Sequence, residues 1–248
     1  MLKRSLRNLI TGDRNTEPID MMMDDREMMP MASSDCTCCG RCVDNCPTKA
    51  IDIDDGKWRI DLGRCLFCMD CEMVCENHCI SEVPAPDYAL TREELVFDRD
   101  TDPSSVERCF DKSICKRFGR SVAIRELDSG SCNACEIELN NMSNQFYDAG
   151  RFGIKVVASP RHADALLVTG PMCVNMSEAC RRTFDATPEP KLVIASGSCA
   201  ISGGMFVKGD VIGEGVRDSM DVAMYIPGCP PEPDRVIRSL IKALRMRH

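Results

Sequence analysis

The sequence lacks the features that would place it across a membrane, outside the cell or on nucleic acid. None of its apolar runs approaches the roughly 20 residues that a membrane-spanning helix requires. Its first residues, "MLKRSLRNLITGDRNTE", are basic but contain neither the apolar core nor the cleavage site of a secretory signal. The formal net charge of −8 argues against a phosphate backbone as ligand, because such a ligand requires a basic face. We therefore expect no transmembrane segment, no nucleic-acid partner and a reducing cytoplasm.

Motifs that would activate a substrate are also missing. The chain has no Walker loop, and "GGMFVKG" lacks the GxGxxG spacing of a dinucleotide-binding turn. The three histidines stand apart from any catalytic triad or set of metal ligands. The sequence therefore predicts no catalytic residue, and we interpret the chain as a subunit that does not itself carry out a reaction.

Cysteine, in contrast, is abundant. The chain has 18 cysteines, and in a reducing compartment clustered cysteines indicate metal binding rather than disulfides. Five of them stand in "CTCCGRCVDNCP", and a similar run follows as "CLFCMDCEMVC". This internal repeat superposes Cys36, Cys39, Cys42 and Cys46 on Cys65, Cys68, Cys71 and Cys75.

The two runs resemble a bacterial ferredoxin with two [4Fe–4S] clusters. Two-residue gaps let three thiolates reach three corners of one cluster, and the fourth cysteine, followed by Pro47 in the first run, ligates the other cluster. Carried over by position, the first cluster would be held by Cys36, Cys39, Cys42 and Cys75. The second cluster would be held by Cys65, Cys68, Cys71 and Cys46.

The second run departs from the ferredoxin pattern at two positions. Glu76 stands where a proline is usual, and Cys79 takes the place of Ala50. We interpret Cys79 as a small buried residue, and the alternative is that it competes with Cys75 as a ligand. Cys38 falls outside the register of the repeat and is expected to be a spare thiol. A structural zinc protein or a scaffold for cluster assembly is the alternative from another class, but zinc sites use two CxxC pairs separated by a loop.

From residue 121 onward the pattern changes to short apolar runs that alternate with helical stretches. The runs "SVAIREL", "FGIKVVA", "ADALLVTG", "KLVIASG" and "DVAMYIPG" predict buried strands. Helices are predicted in "CEIELNNMSNQF", "SEACRRTFDA" and "EPDRVIRSLIKALRMR". This alternation predicts an α/β fold with a mostly parallel sheet, whose ligands gather at the carboxyl ends of the strands. Four cysteines in Gly-rich turns make a set for one further [4Fe–4S] cluster: Cys132, Cys135, Cys199 and Cys229.

The motifs around these cysteines resemble those of a known family. "SGSCNACEIE", "LLVTGPM", "GSCAISGG" and "PGCPPEPDRVI" are similar to the small subunit of membrane-bound group 4 [NiFe]-hydrogenases and to the homologous 20 kDa-type subunit of complex I. The CxxC spacing favours the hydrogenase branch, since the complex I subunit has two adjacent cysteines there. The resemblance covers about residues 108–248 and implies a flavodoxin-like domain that holds the third, proximal cluster.

The resemblance also implies a function and partners. Electrons would pass from a soluble donor such as ferredoxin through three [4Fe–4S] clusters to a [NiFe]-type large subunit. Integral membrane subunits of an ion-translocating complex are implied as well, with this chain as a peripheral subunit on the cytoplasmic face of the cell membrane. The rival interpretation is the corresponding subunit of a complex I-like dehydrogenase that reduces quinone, phenazine or sulfur.

Four segments are predicted along the chain. They are a flexible segment at 1–33 with a short docking helix, a ferredoxin-like domain at 34–90, a connector at 91–120 and the small-subunit domain at 121–248. Glu136, beside Cys135, is interpreted either as a proton relay or as an ordinary acid in the first turn of a helix. Six thiols have no assigned role: Cys38, Cys79, Cys109, Cys115, Cys173 and Cys180.

Overall fold

The amino-terminal part of the fold is small and antiparallel. The computed structural model describes residues 22–23, 26–206 and 209–246, so the predicted docking helix near the start of the chain lies outside them. Two short helices carry parts of the cysteine runs, α1 (Arg41–Asn45) and α2 (Asp70–Met73). The strands are β1 (Met28–Ala32), β2 (Ile51–Asp54), β3 (Lys57–Asp61), β4 (Ile80–Pro84) and β5 (Val96–Asp98). β1 pairs with β4, and β2, β3 and β5 form a three-stranded sheet in that order.

Two of these strands lie in segments for which the sequence predicted no strand. β1 falls within the predicted flexible segment 1–33, yet its Met29 and Met31 are buried, and the strand pairs along its whole length with β4. β5 falls within the predicted connector, and its Phe97 is buried opposite Ile60 of β3. The physical reason is the same in both cases: burial of these apolar side chains stabilises a strand whose partner is distant in sequence.

The carboxyl-terminal part is a five-stranded parallel sheet with helices, as the sequence predicted. Its strands are β6 (Val122–Asp128), β7 (Ile154–Val156), β8 (Ala165–Thr169), β9 (Leu192–Ser196) and β10 (Met224–Ile226). The strand order is β7-β6-β8-β9-β10, which is the flavodoxin-like order with its switch point between β6 and β8. The helices are α3 (Lys112–Phe118), α4 (Ala134–Asn141), α5 (Val174–Ala186), α6 (Ser198–Ser202) and α7 (Pro233–Leu244).

The packing of the sheet follows from the composition of its strands. Every residue of β8 and β9 is buried, which is the pattern expected of central parallel strands covered on both faces. α7 is buried along almost its whole length, including Val236, Ile237 and Leu240. Because the strands are parallel, the carboxyl ends of β6, β9 and β10 lie at the same edge of the sheet. At this edge the chain enters α4, α6 and the turn before α7.

The two parts are joined by direct backbone contacts. Ala89 and Tyr225 exchange two backbone hydrogen bonds of 3.0 and 2.9 Å, which connect the segment after β4 to the edge strand β10. Gly63 approaches α6 so closely that a Cβ atom at this position would lie 2.6 Å from Ile201 Cγ2. Among the described residues, none of the helices has the length and apolar character needed to span a lipid bilayer.

Candidate metal centres

The first cysteine site is a cavity between the amino-terminal end of α1 and the turn after α2. All four thiols of the first predicted set line it, namely Cys36, Cys39, Cys42 and Cys75. Cys42 and Cys75 are buried, whereas Cys39 is exposed. Gly40 enters α1 with φ +85°, a left-handed conformation that glycine adopts without strain, and this turn presents Cys39 and Cys42 on either side.

Two unassigned thiols also line the first cavity. The Sγ atoms of Cys75 and Cys79 lie 3.3 Å apart, and Cys79 is buried. Burial raises the pKa of Cys79 to about 12, and hydrogen bonds with Cys75 and Cys36 act in the same direction. Cys38 donates to the Gly56 carbonyl oxygen at 3.1 Å. The structure thus brings Cys79 beside the predicted ligands, while its role as ligand or packed residue stays a prediction.

The second cysteine site is a cavity on the other side of the repeat. It is lined by the four thiols of the second predicted set, Cys46, Cys65, Cys68 and Cys71. Burial raises the pKa of Cys65 and of Cys71 to about 12, and neighbouring thiols act in the same direction. Cys46 thus lines the cavity of the second run and Cys75 that of the first, while the ligand roles of both thiols stay a prediction.

The surroundings of the thiols fit an iron–sulfur cluster. Backbone N–H groups point at sulfur: Ala50 N donates to Cys46 Sγ at 3.2 Å, and Phe67 N donates to Cys65 Sγ at 3.3 Å. Such N–H groups stabilise the negative charge of thiolates and of cluster sulfurs. All 18 cysteines fall within the described residues, and all are free thiols. A buried thiol with a raised pKa is an inert group unless a metal takes the place of its proton.

The third cysteine site lies at the carboxyl edge of the parallel sheet. Cys132 and Cys135 lie at the start of α4 after β6, Cys199 lies in α6 after β9, and Cys229 follows β10. Burial raises the pKa of Cys135 above its usual range, and the charges of Glu136, Cys199, Cys229 and Cys132 raise it further. Burial likewise raises the pKa of Cys199 to about 11, with contributions from Cys229 and Cys132. The four thiols are therefore electrostatic neighbours, although they come from three separate segments.

Two glycines make room for the sulfur atoms of the third site. At Gly197, where φ is +89°, a Cβ atom would lie 2.9 Å from Cys135 Sγ. At Gly204, where φ is +58°, a Cβ atom would lie 2.7 Å from Cys199 Sγ. The backbone thus approaches these thiols as closely as a side-chain-free residue permits, which fits the cradle of a bound group.

Glu136 lies where the sequence places it, in the first turn of α4. The hydroxyl of Thr169 donates a hydrogen bond to its Oε1, and its Oε2 is buried without a hydrogen-bond partner among the described residues. Burial raises the pKa of Glu126 on β6, and the neighbouring Glu136 raises it further. The position suits both predicted roles, a proton relay and a helix acid.

The other unassigned thiols line neither the first nor the second cavity. Cys115 contacts the carbonyl oxygen of Phe110 at 3.3 Å, and Cys109 is exposed near Arg245. Cys180 is buried in α5, and Cys173, immediately before that helix, lies against Gly130. Sequence patterns gave no sign of three further residues near the sites. Ser198 bonds the carbonyl oxygen of Cys65, and Arg235 bonds that of Pro227 and pairs with Glu27, but these contacts exist only in the folded chain.

Comparisons with known proteins match both parts of the chain. The family described as "NADH ubiquinone oxidoreductase, 20 Kd subunit" matches residues 132–243, and the "4Fe-4S dicluster domain" matches residues 35–79. A probable membrane-bound hydrogenase subunit of Pyrococcus furiosus, mbhJ, is 41% identical over 131 residues, which are 53% of this chain and 78% of the relative. Formate hydrogenlyase subunit 7 of Escherichia coli is 42% identical over 132 residues, which are 53% of this chain and 52% of the relative.

Among solved structures, one chain of the membrane-bound sulfane sulfur reductase, an archaeal respiratory membrane complex, is similar. It is 30% identical with a TM-score of 0.47, and the match covers 55% of this chain and 75% of the other. The dicluster match falls on the first two cysteine sites, and the 20 kDa-subunit match falls on the third. The chain therefore belongs to the family of complex I 20 kDa-type and [NiFe]-hydrogenase small subunits, with a 4Fe-4S dicluster domain in front, and is an iron–sulfur electron-transport subunit.

Proposed function

We propose that this chain relays electrons through three [4Fe–4S] clusters to a [NiFe]-type large subunit of a membrane-bound complex. The observation that carries this proposal is the grouping of twelve thiols into three four-thiol sites that follow one another through the fold. A [4Fe–4S] cluster supplies one-electron oxidation and reduction when it is bound. The ligand sets are those predicted by the sequence motifs: the four thiols of each of the first, second and third sites.

The fold positions the three cysteine sites for this relay. The first site contains the exposed Cys39, so a soluble donor such as ferredoxin has access to it. The second site contacts the third through Ser198, whose hydroxyl donates to the carbonyl oxygen of Cys65 at 2.6 Å. Because both modules belong to one chain, the transfer between them needs no encounter of separate proteins.

The large subunit is proposed to cover the third site. Exposed apolar side chains surround the loops that carry its cysteines, namely Ile137, Val174, Met205, Phe206 and Val211. Val174 N donates to Val211 O at 2.9 Å, so two of these residues belong to adjoining loops. Exposed apolar residues grouped around a site are typical of protein–protein contacts. The relatives' names, a membrane-bound hydrogenase subunit and a formate hydrogenlyase subunit, support a hydrogenase-type complex. We place the chain at the cytoplasmic face of the membrane, as a peripheral subunit beside integral membrane subunits.

A second candidate function has one specific observation in its favour. The family that matches residues 132–243 is described by the 20 kDa subunit of NADH ubiquinone oxidoreductase, so a complex I-like enzyme fits as well. In that case the electrons would end on a quinone, a phenazine or sulfur instead of protons. The relay within this chain would be the same.

The test is anaerobic purification of the full chain with the subunits that accompany it. We expect about twelve iron atoms per chain, three reducible paramagnetic centres and a nickel-containing large subunit. Complete iron with a large subunit that lacks nickel would favour the complex I-like alternative. Colourless protein with bound zinc and no reducible centre would refute the electron relay.

A further inference from the structure

Arg235 is a fully buried cation between the second and the third cysteine sites. Its Nη1 donates to the carbonyl oxygen of Pro227 at 2.7 Å, two residues before Cys229 of the third site. Its guanidinium carbon lies 4.9 Å from the ring centroid of Phe67, which stands between Cys65 and Cys68 of the second site. One guanidinium thus contacts a cysteine loop of each site.

The charge of Arg235 is permanent and only partly neutralised. Burial lowers the pKa of Arg235 and the charges of Glu27 and Asp87 oppose that effect, but a guanidinium does not lose its proton in proteins. Its Nη1 lies 2.8 Å from Glu27 Oε2, a charge contact rather than an aligned hydrogen bond. Its Nε and Nη2 have no hydrogen-bond partner among the described residues. The field of such a cation extends far in a low-dielectric interior.

Glu27, the counter-charge, also acts on the third site. Its Oε2 lies 2.8 Å from Arg235 Nη1, and the same Nη1 donates to the carbonyl oxygen of Pro227, so the carboxylate also lies close to the loop that carries Cys229. The carboxylate precedes β1, the strand that pairs with β4, so the pair spans from the amino-terminal part to α7. Both members of the pair therefore lie within electrostatic reach of a cysteine loop.

The neighbouring cation on α7 shows a different arrangement. Arg238 is also fully buried, but it is paired with Asp87 and Asp234, and its Nη1 donates to the carbonyl oxygen of Met22. Its hydrogen bonds and ion pairs fasten α7 to the amino-terminal part of the chain. Arg235 instead directs its charge towards the two cysteine loops.

We propose that the Arg235–Glu27 pair tunes the reduction potentials of the second and third clusters, the guanidinium raising them and the carboxylate lowering them. The inference rests on the proposed function, because it requires clusters at these sites. Reduction adds one negative charge to a cluster, so a nearby cation stabilises the reduced state and a nearby anion destabilises it. Arg235 thus acts on the clusters through the position of its charge, and it is not a ligand.

The test uses the full chain in its purified complex, with redox titrations followed by paramagnetic resonance at about pH 8. Glu27 has a pKa of about 7 because burial raises it, so its carboxylate is charged under this condition. Glu27→Gln removes the anion alone. Glu27→Gln with Arg235→Met then removes the cation without leaving an unpaired carboxylate, and Glu27→Gln with Arg235→Lys keeps a cation. Arg181→Met removes an exposed guanidinium from α5 and serves as the control. Cys68→Ser and Cys229→Ser assign the signals to the second and third sites.

We expect Glu27→Gln to shift the second and third midpoint potentials to more positive values. Adding Arg235→Met to Glu27→Gln should shift both potentials to more negative values than in Glu27→Gln alone, with a smaller shift at the first site. Adding Arg235→Lys should leave the potentials nearly as in Glu27→Gln alone, and the Arg181→Met control should leave them nearly as in the wild type. Unchanged potentials on adding Arg235→Met, or an equal shift of all three, would overturn the inference. If that double variant loses its clusters, unchanged potentials in Glu27→Gln alone would overturn it. Absence of the second and third centres from the wild-type chain would refute the proposed function instead.

Discussion

The hydroxyl of Ser198 donates a 2.6 Å hydrogen bond to the carbonyl oxygen of Cys65. Cys65 belongs to the second cysteine site, and Ser198 directly precedes Cys199 of the third. The same hydroxyl lies 3.1 Å from the carbonyl oxygen of Gly228, next to Cys229. Ser198 is buried at the start of α6, and both oxygens face it from different segments. A single side chain therefore fixes how the second site meets the third.

Replacing this hydroxyl should weaken the junction. Ser198→Ala leaves the Cys65 carbonyl oxygen buried without its donor, which costs about 1–3 kcal/mol of unfolding free energy. We expect a lower apparent melting temperature and slower electron transfer between the second and third clusters, with the iron content retained. Thermal scans and rapid-freeze resonance measurements check this. Ser177→Ala, which removes an exposed hydroxyl that bonds Val174 O, is the control, and equal behaviour of the two variants would contradict the expectation.

A methyl group at Gly204 should eject the third cluster. In Gly204→Ala the new Cβ would meet Cys199 Sγ at 2.7 Å and the backbone of Cys199 at about 3 Å, at a φ of +58°. We expect about one third of the iron and one paramagnetic centre to be lost, while the other two centres remain. Gly209→Ala is the control, because nothing lies within 4 Å of a Cβ atom at that position. A full complement of iron in Gly204→Ala would count against our placement of the third site.

The short distance between the thiols of Cys75 and Cys79 leads to a prediction about which of them ligates the first cluster. Cys79→Ala should retain the first cluster, since Cys75 is the predicted ligand. Because the two Sγ atoms are 3.3 Å apart, Cys79 can take over in Cys75→Ala, and part of the first cluster should survive. The double variant should lose it. Iron content and the resonance signal of the first site distinguish these cases, and loss of the cluster in Cys79→Ala alone would show that Cys79 is the ligand.

Glu27 should make stability depend on pH. Burial raises the pKa of its carboxyl from 4.5 to about 7, with Glu232 and Asp234 raising it and Arg235 and Arg238 lowering it. The unfolded chain loses this proton more easily than the folded chain, so the contribution is present below about pH 4.5 and is lost as the pH rises through about 7. The change amounts to roughly 3 kcal/mol.

We therefore expect the apparent melting temperature of the wild-type chain to fall between about pH 5 and pH 8, measured without oxygen. Glu27→Gln should flatten this dependence, whereas Glu82→Gln on the exposed side of β4 should leave it as in the wild type. The same slope in Glu27→Gln as in the wild type would show that another group titrates.

Much of the parallel sheet could be predicted from the sequence because its strands are continuous apolar runs. β8 and β9 are buried on both faces, and such strands need no partner information to be recognised. β1 and β5 were missed because neither shows a strand pattern: β1 is an apolar run of five residues interrupted by Pro30, and β5 has only three residues. Only the pairing with β4 and β3 makes them strands. Pairing between distant segments leaves little trace in a single sequence.

The candidate sites divide in the same way. In the two cysteine runs, the spacing of the cysteines alone indicates which thiols can reach one cluster. At the first two sites, the structure gathers the predicted thiols of each set around one cavity. The residues between the sites carry no motif. Arg235 is one of several charged residues in an amphipathic helix, and only the packing of α7 against Phe67 and Pro227 distinguishes it from the others.

The exchange of one thiol between the two cysteine runs has a consequence for how the amino-terminal part assembles. Cys46 lies with the second run and Cys75 with the first, so each half of the repeat completes the cavity of the other. Neither half alone supplies all four thiols of its predicted ligand set. The two halves are reciprocal, so we expect the incorporation of iron at either one to depend on the folding of both.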